Sequence, residues 1–192
     1  MDTKSIAKLK AELKRLHKLV FFDELTGILN RRGFNEMAGK QFKVIAFRAS
    51  NSERRTKIKI PFSVIFVDLD NLKPINDNLG HEAGSEAIVK TGKILKNSLR
   101  TNDIYCRWGG DEYLVALLGI DAQQALIVAE KLRDNVAKET IKRKNSIFNL
   151  SASFGVASYS GETNLAELIN HADQAMYQAK KNGKNQVAVF GK

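Results

Sequence analysis

Two pairs of acids stand out by where they fall. Asp68 and Asp70 follow Phe62-Ser63-Val64-Ile65-Phe66-Val67, a β-branched and aromatic run that reads as a buried strand, so their carboxylates emerge where a rigid element ends. Asp111 and Glu112 follow Gly109-Gly110, between two further short strands at Ile104–Trp108 and Tyr113–Leu118. Glycine there permits positive φ and lets a phosphate or sugar approach the backbone. If the strands carrying Asp68 and Asp111 are neighbours, the carboxylates converge, and hard oxygens beside a phosphate select Mg²⁺ or Mn²⁺. Each motif alone has a plainer meaning, a strand that happens to end in Asp or a hairpin turn with solvated acids; together they favour a site. Lys180, Lys181 and Lys184 lie at and just beyond the end of a helical stretch, where cations either complement the helix dipole or clamp a triphosphate. His17, His81 and His171 share no zinc-site spacing, no Ser/His/Asp order stands out, and Trp108 and the interleaved Phe residues read as core.

The elements that must position these groups alternate along the chain. Helical stretches at Glu82–Arg100, Ala122–Lys138 and Leu165–Lys181 are interleaved with the strands above and with strands at Phe148–Ala157 and Gln186–Phe190. This alternation, with a hairpin in its middle, predicts an α/β or α+β domain around one mixed sheet. Ahead of it, Ile6, Leu9, Leu13, Leu16 and Val20 recur at spacings of three and four, either a coiled-coil seam or a stripe packed on its own domain. Asp23–Asn30 interrupts that pattern, with Thr26-Gly27 as a turn and a second helix opening near Asn30. Residues 43–60 carry six basic side chains and one acidic one without sustained helical period, and their middle reads as an exposed basic loop.

Composition narrows the class. The 192 residues suit one domain with a short extension, and 43% hydrophobic content supports a packed core. No apolar run reaches membrane-span length and the N-terminus lacks a signal-peptide core; with Cys106 as the only cysteine, a reducing, cytoplasmic setting is expected. The net charge of +10 suits a polyanionic partner, whether nucleotide phosphates, nucleic acid or an anionic membrane face. No nucleic-acid motif accompanies the charge, so nucleic acid is not the expected partner.

Five blocks in order carry a resemblance: FDELTGILNRRGF (22–34), VDLDNLKPINDNLGHEAG (67–84), RWGGDEY (107–113), SASFGVA (151–157) and ADQAMYQAKKNGKNQV (172–187). Together they resemble the GGDEF domain of diguanylate cyclases. The resemblance implies a five-stranded mixed sheet flanked by helices, similar to the palm of nucleotide polymerases, over residues 22–192, with residues 1–21 as a helix able to serve as a dimerisation stalk. It implies that two nucleoside triphosphates condense to a cyclic dinucleotide, a second messenger, with release of two pyrophosphates, and that two domains face each other as a homodimer. It further implies Asp68, Asp111 and the Leu69 carbonyl as ligands of Mg²⁺ or Mn²⁺, and Glu112 beside the attacking 3′-hydroxyl. Asn71, Leu72, Gly109, Gly110, Lys180 and Lys184 are implied at the phosphates, Lys180 also in the catalytic set. Asn76 matches the guanine contact, and Arg100 with Asp103 resembles the RxxD inhibitory site for product.

Three departures from the pattern matter. Tyr113 replaces phenylalanine, so a hydroxyl needs a partner. The basic segment before the first long strand is longer than usual. Ser85 stands where the family commonly has Asp to read the guanine edge, as in a promiscuous subgroup that makes mixed cyclic GMP-AMP. GTP is therefore expected as substrate with ATP tolerated. The alternative is a non-catalytic cyclic di-GMP receptor using Arg100 and Asp103.

Overall fold

The computed structural model describes residues 3–51, 60–143 and 146–191. In chain order the elements are α1 (Thr3–Phe21), β1 (Leu29–Asn30), α2 (Arg31–Asn51), β2 (Phe62–Leu69), α3 (Leu72–Leu79), α4 (His81–Ser98), β3 (Ile104–Gly109), β4 (Glu112–Leu118), α5 (Ala122–Ala137), β5 (Thr140–Arg143), β6 (Ser146–Asn149), β7 (Ala152–Ser158), α6 (Leu165–Lys181) and β8 (Val187–Val189). β2 is buried along its whole length because it lies inside the sheet, antiparallel to both β4 and β7, with helices over both faces. Such a strand needs apolar residues at nearly every position, which is why the run after Pro61 does not alternate.

The two-residue period of the strand assigns each side chain to a face. Ile65, Val67 and Leu69 join Tyr113, Val115 and the apolar residues of α4 and α5 in one core. Val64 and Phe66 join Leu114 and Ala116 with Phe34, Ala38 and Phe42 of α2 and Leu168, Ala172 and Met176 of α6 in the other. By the same parity Asp68 and Asp70 project towards α2 and α6. The helices have local reasons to start where they do: Asp121 and Gln124 form a reciprocal capping box on α5, and Asn164 accepts from Glu167 N at the start of α6.

The sheet order is β1-β3-β4-β2-β7-β8. The expected five strands are present, and the two-residue β1 adds a sixth at the edge, parallel to β3. The expected single strand at Phe148–Ala157 is corrected to two. β6 pairs with β5 in a separate ribbon, and the chain turns at Leu150-Ser151, where Leu150 N donates to Glu139 O and Ser151 O accepts from Asp70 N. The basic stretch is corrected too: residues 43–51 belong to α2. Phe42 and Ile45 continue the buried face begun by Phe34 and Ala38, while Lys43 and Arg48 point outward. The rest of that loop expectation, residues 52–59, lies outside the described residues. Trp108 is half-buried and packs against the core beside Phe34, with the Arg31 guanidinium 4.2 Å from its ring centroid.

Ile6, Leu9, Leu13 and Leu16 are exposed along α1, so this stripe does not pack on its own domain. No helix among the described residues is long and apolar enough to cross a membrane. Tyr113 is fully buried, and its hydroxyl donates to Ile88 O in α4 at 2.7 Å. Tyr113→Phe removes that bond between sheet and helix and is expected to lower the unfolding free energy by about 1 kcal/mol. Urea denaturation checks this, and an unchanged midpoint would contradict it.

Candidate active site at the end of β2

Antiparallel pairing of β2 with β4 sets Asp68 opposite Glu112, and Leu69 N donates to Asp111 O at 3.1 Å. The strands are neighbours, and the charges of Asp111 and Glu112 act on Asp68. Asp68 is only 6% exposed. Lys180, near the end of α6, brings its Nζ to 2.6 Å from Asp68 Oδ1, which has no hydrogen-bond partner beyond this ion pair. Burial pushes the Asp68 carboxyl up to about 6; the Lys180 ammonium opposes the rise, and the Asp111 and Glu112 charges reinforce it. Glu112 is raised as well, first by burial and then by Asp173 and Asp111, against Lys180 and Arg31. The site thus gathers the charges of Asp68, Asp111 and Glu112 around the Lys180 ammonium.

The turn between β3 and β4 is held by Arg107. Its Nε and Nη2 donate to Gly110 O at 2.9 and 2.8 Å, and Nη1 reaches Asp23 Oδ2 at 3.1 Å. Asp23 also accepts from Thr26 N and Oγ1, so the segment after α1 and the glycine turn share one polar junction. Glu112 lies close beneath the turn: a Cβ at Gly109 would stand 3.0 Å from Glu112 Oε2. A larger residue would press on the carboxylate.

Asn71 ends the β2 loop in the left-handed region, at φ 59°, and precedes α3, so the backbone at Leu72 is the first turn of a helix rather than a free loop. The Asn71 side chain accepts from Lys184 Nζ at 2.6 Å. Lys180 and Lys184 therefore both face the end of β2 and the residues just after it. Further along, α3 and α4 pack so closely that a Cβ at Gly84 would collide with the Asn76 side chain. This close approach sets Asn76 against the turn of α4 that carries Ser85. Arg100 and Asp103 stand apart from this cluster: Arg100 N donates to Asp103 Oδ2 at 2.8 Å and Asp103 N to Arg100 O at 3.1 Å. The aspartate braces the main chain, and the exposed Arg100 guanidinium makes no hydrogen bond or ion pair with the described residues.

Three comparisons bear on this arrangement. The family model described as "Diguanylate cyclase, GGDEF domain" matches residues 20–186. The chain belongs to the GGDEF diguanylate cyclase family. It is 36% identical over 132 residues to diguanylate cyclase A of Treponema denticola, covering 68% of this chain and 36% of that protein. It is 33% identical over 172 residues to the diguanylate cyclase DosC of Escherichia coli, covering 89% and 35%. The chain thus spans about a third of the length of these curated relatives. In fold it is similar to the coiled coil and GGDEF domain of DgcB from Caulobacter crescentus, solved with c-di-GMP, at a TM-score of 0.84 and 20% identity over 97% of this chain and 94% of that one.

The residues around the GGDEF turn fit a divalent metal by their chemistry. Among the described residues no three His, Cys, Asp or Glu side chains form a complete metal cluster. Two carboxylates, one buried with an oxygen satisfied only by a lysine, match instead the way Mg²⁺ is held by one or two carboxylates together with substrate phosphates. Sequence reasoning singled out Asp70 but gave it no role. It is buried, accepts from Ser153 Oγ at 2.8 Å and from Asn185 N at 3.0 Å, and so fixes the turn that carries Lys184. Its signal was the second acid of the DLD triplet. Asp23, Arg107 and Asp173 were missed because the ion pair of Asp23 with Arg107 and the influence of Asp173 on Glu112 join residues distant in sequence.

The raised carboxyl has a consequence for stability. A folded-state value near 6 against 3.8 means that Asp68 favours folding when protonated, and that this contribution, about 3 kcal/mol, is lost as pH rises from about 4 through 6. Asp68→Asn removes the buried charge, and the partly exposed Lys180 can turn to solvent. In metal-free buffer the variant is expected to melt above the wild type at pH 8 and to converge with it below pH 4. A variant that melts lower at pH 8 would contradict the assignment of burial as the dominant cause.

Proposed function

We propose that this chain condenses two molecules of GTP into cyclic di-GMP with release of two pyrophosphates. What carries the proposal is the meeting of Asp68, Asp111, Glu112 and Lys180 at one end of β2 in a member of this family. Mg²⁺ or Mn²⁺, held by Asp68, Asp111 and the Leu69 carbonyl, would polarise the α-phosphate and offset charge on the leaving pyrophosphate. Glu112, its carboxyl raised by burial beside two other acids, suits a position next to the attacking 3′-hydroxyl, where a base with an elevated pKa takes the proton. Lys180 and Lys184, together with the backbone at Asn71, Leu72, Gly109 and Gly110, receive the phosphates. Nucleoside triphosphates as substrates suit a cytoplasmic location.

Asn76 and Ser85 meet the base. A serine hydroxyl both donates and accepts, so it does not reject the N1 acceptor and N6 donor of adenine as a carboxylate would. Losing a charge-assisted acceptor is worth about 1.5–3 kcal/mol, or roughly one to two decades of discrimination against ATP. Cyclic GMP-AMP is therefore proposed as a second product. An equimolar GTP/ATP reaction with Mg²⁺, resolved by mass, tests both levels. The wild type is expected to yield cyclic di-GMP and the mixed dinucleotide, Ser85→Asp to shift output to cyclic di-GMP, and Asp111→Ala and Glu112→Gln to release no pyrophosphate. Wild-type turnover in both of the last variants would remove their roles, and cyclic di-GMP alone from the wild type would remove the relaxed base choice. Binding of cyclic di-GMP without turnover would leave the receptor alternative.

Both phosphodiester bonds require two facing sites, so the working unit is a homodimer. The exposed seam of Ile6, Leu9, Leu13 and Leu16 supplies the contact that raises the local concentration of the second site. Leu9→Glu with Leu13→Glu is expected to lower specific activity at dilute protein and recover it at high concentration; equal activity across the dilution series would contradict this. Product feedback is proposed at Arg100 and Asp103, where the outward guanidinium offers a bidentate contact to a phosphate or guanine edge. Arg100→Ala is expected to abolish inhibition by added cyclic di-GMP while leaving the initial rate unchanged. A wild-type rate indifferent to micromolar product would rule out the site.

A further inference from the structure

Lys180 and Asp68 meet where the proposed divalent cation would have to sit. Asp68 is fixed by the strand, nearly closed off from water and flanked by Asp111 and Glu112, so it cannot turn away to find another counter-charge. A carboxylate left unpaired in such surroundings is strongly disfavoured. Lysine answers this need better than arginine would, because its ammonium is a compact point charge on a flexible stem, close to an ion in size and able to withdraw. The Lys180 side chain is 31% exposed against 8% for Asp68, so one partner has a path to solvent and the other is closed off from it. Four residues on, Lys184 engages Asn71 Oδ1 in the same manner. Both cations thus rest on acceptors at the end of β2 or just beyond it.

We infer that Lys180 is a built-in counter-ion that holds Asp68 whenever the metal is absent, so that a divalent cation loads only after a triphosphate draws the ammonium away. The inference rests on the active-site reading above, in which Asp68 binds metal and Lys180 binds phosphate. A dication bound to Asp68 and an ammonium 2.6 Å from the same oxygen repel each other at close range in a poorly screened site. The triphosphate resolves the conflict because its oxygens accept Lys180 and also complete the metal's coordination, which two carboxylates cannot do alone. Nucleotide and metal therefore enter in that order, and metal alone does not stabilise the protein.

The test uses the full chain, Mn²⁺ alone, and a non-hydrolysable α,β-methylene analogue of GTP, with Mn²⁺ binding read by electron paramagnetic resonance. In the absence of nucleotide, Lys180→Met is expected to bind Mn²⁺ about tenfold more tightly than the wild type, and adding Asp68→Asn to that variant is expected to cancel the gain. Equal or weaker Mn²⁺ binding by Lys180→Met, with Asp68→Asn still impairing binding in the presence of the analogue, would overturn the counter-ion role and leave the site assignment intact. Unchanged binding in Asp68→Asn with the analogue present would instead remove the site assignment beneath it. A wild-type measurement needs no variant to fold: the Lys180 Cε resonance is expected to shift with the analogue alone and to stay in place with Mg²⁺ alone. A shift produced by Mg²⁺ alone would overturn the order of loading.

Discussion

A carboxylate buried at the end of the central strand is the constraint around which this protein is arranged. Asp68 sits on β2 with strands on both sides and helices over both faces, so its charge has few sources of compensation. Taking such a charge out of water costs several kcal/mol even after relaxation. The structure meets that cost with one lysine from α6 and adds two more acids, Asp111 and Glu112, to the same place. A fold selected only for stability would gain by replacing Asp68 with an uncharged residue; the proposed binding of a cation and polyphosphate there gives a reason to keep the charge.

Holding those groups in register falls to residues that perform no chemistry. Asp70 ties β2 to β7 through Ser153 and to the turn after α6 through Asn185 N. In that turn Lys184 and Asn185 adopt left-handed φ values of 63° and 45°, a conformation that β-carbon-bearing residues resist and that needs outside support. Arg107 does the same for the glycine turn, bridging Gly110 O to Asp23, so the acids of the GGDEF motif are fastened to the segment that leaves α1. The site is thus supported from β3, β7, the turn after α6 and the segment after α1 at once.

How far the sequence discloses this depends on the range of the interaction. Strand β2 with the acids at its end and helix α6 with the lysines at its end are legible because burial imposes an apolar run on one and a helical stripe on the other. The coming together of Asp68 and Asp111 was a conditional inference, and the β2–β4 pairing satisfies the condition. The continuation of α2 through residue 51 was hidden because the exposed apolar residues Val44 and Phe47 blur the period that the buried Phe42 and Ile45 carry. The break at Leu150-Ser151 was hidden because both flanking segments favour strand and only tertiary bonds to Glu139 and Asp70 divide them. Lys180 was read as a phosphate ligand from its family position; its ion pair with Asp68 spans more than a hundred residues and leaves no local signature.

The central claim is that the end of β2 binds a divalent metal and a nucleoside triphosphate together. A crystal grown with Mn²⁺ and the non-hydrolysable GTP analogue, with data collected at the manganese edge, tests it most directly. The account predicts an anomalous peak between the carboxylates of Asp68 and Asp111, with Lys180 Nζ moved from Asp68 onto a phosphate oxygen. A nucleotide bound with no manganese at Asp68, or with Lys180 still paired to that carboxylate, would contradict it.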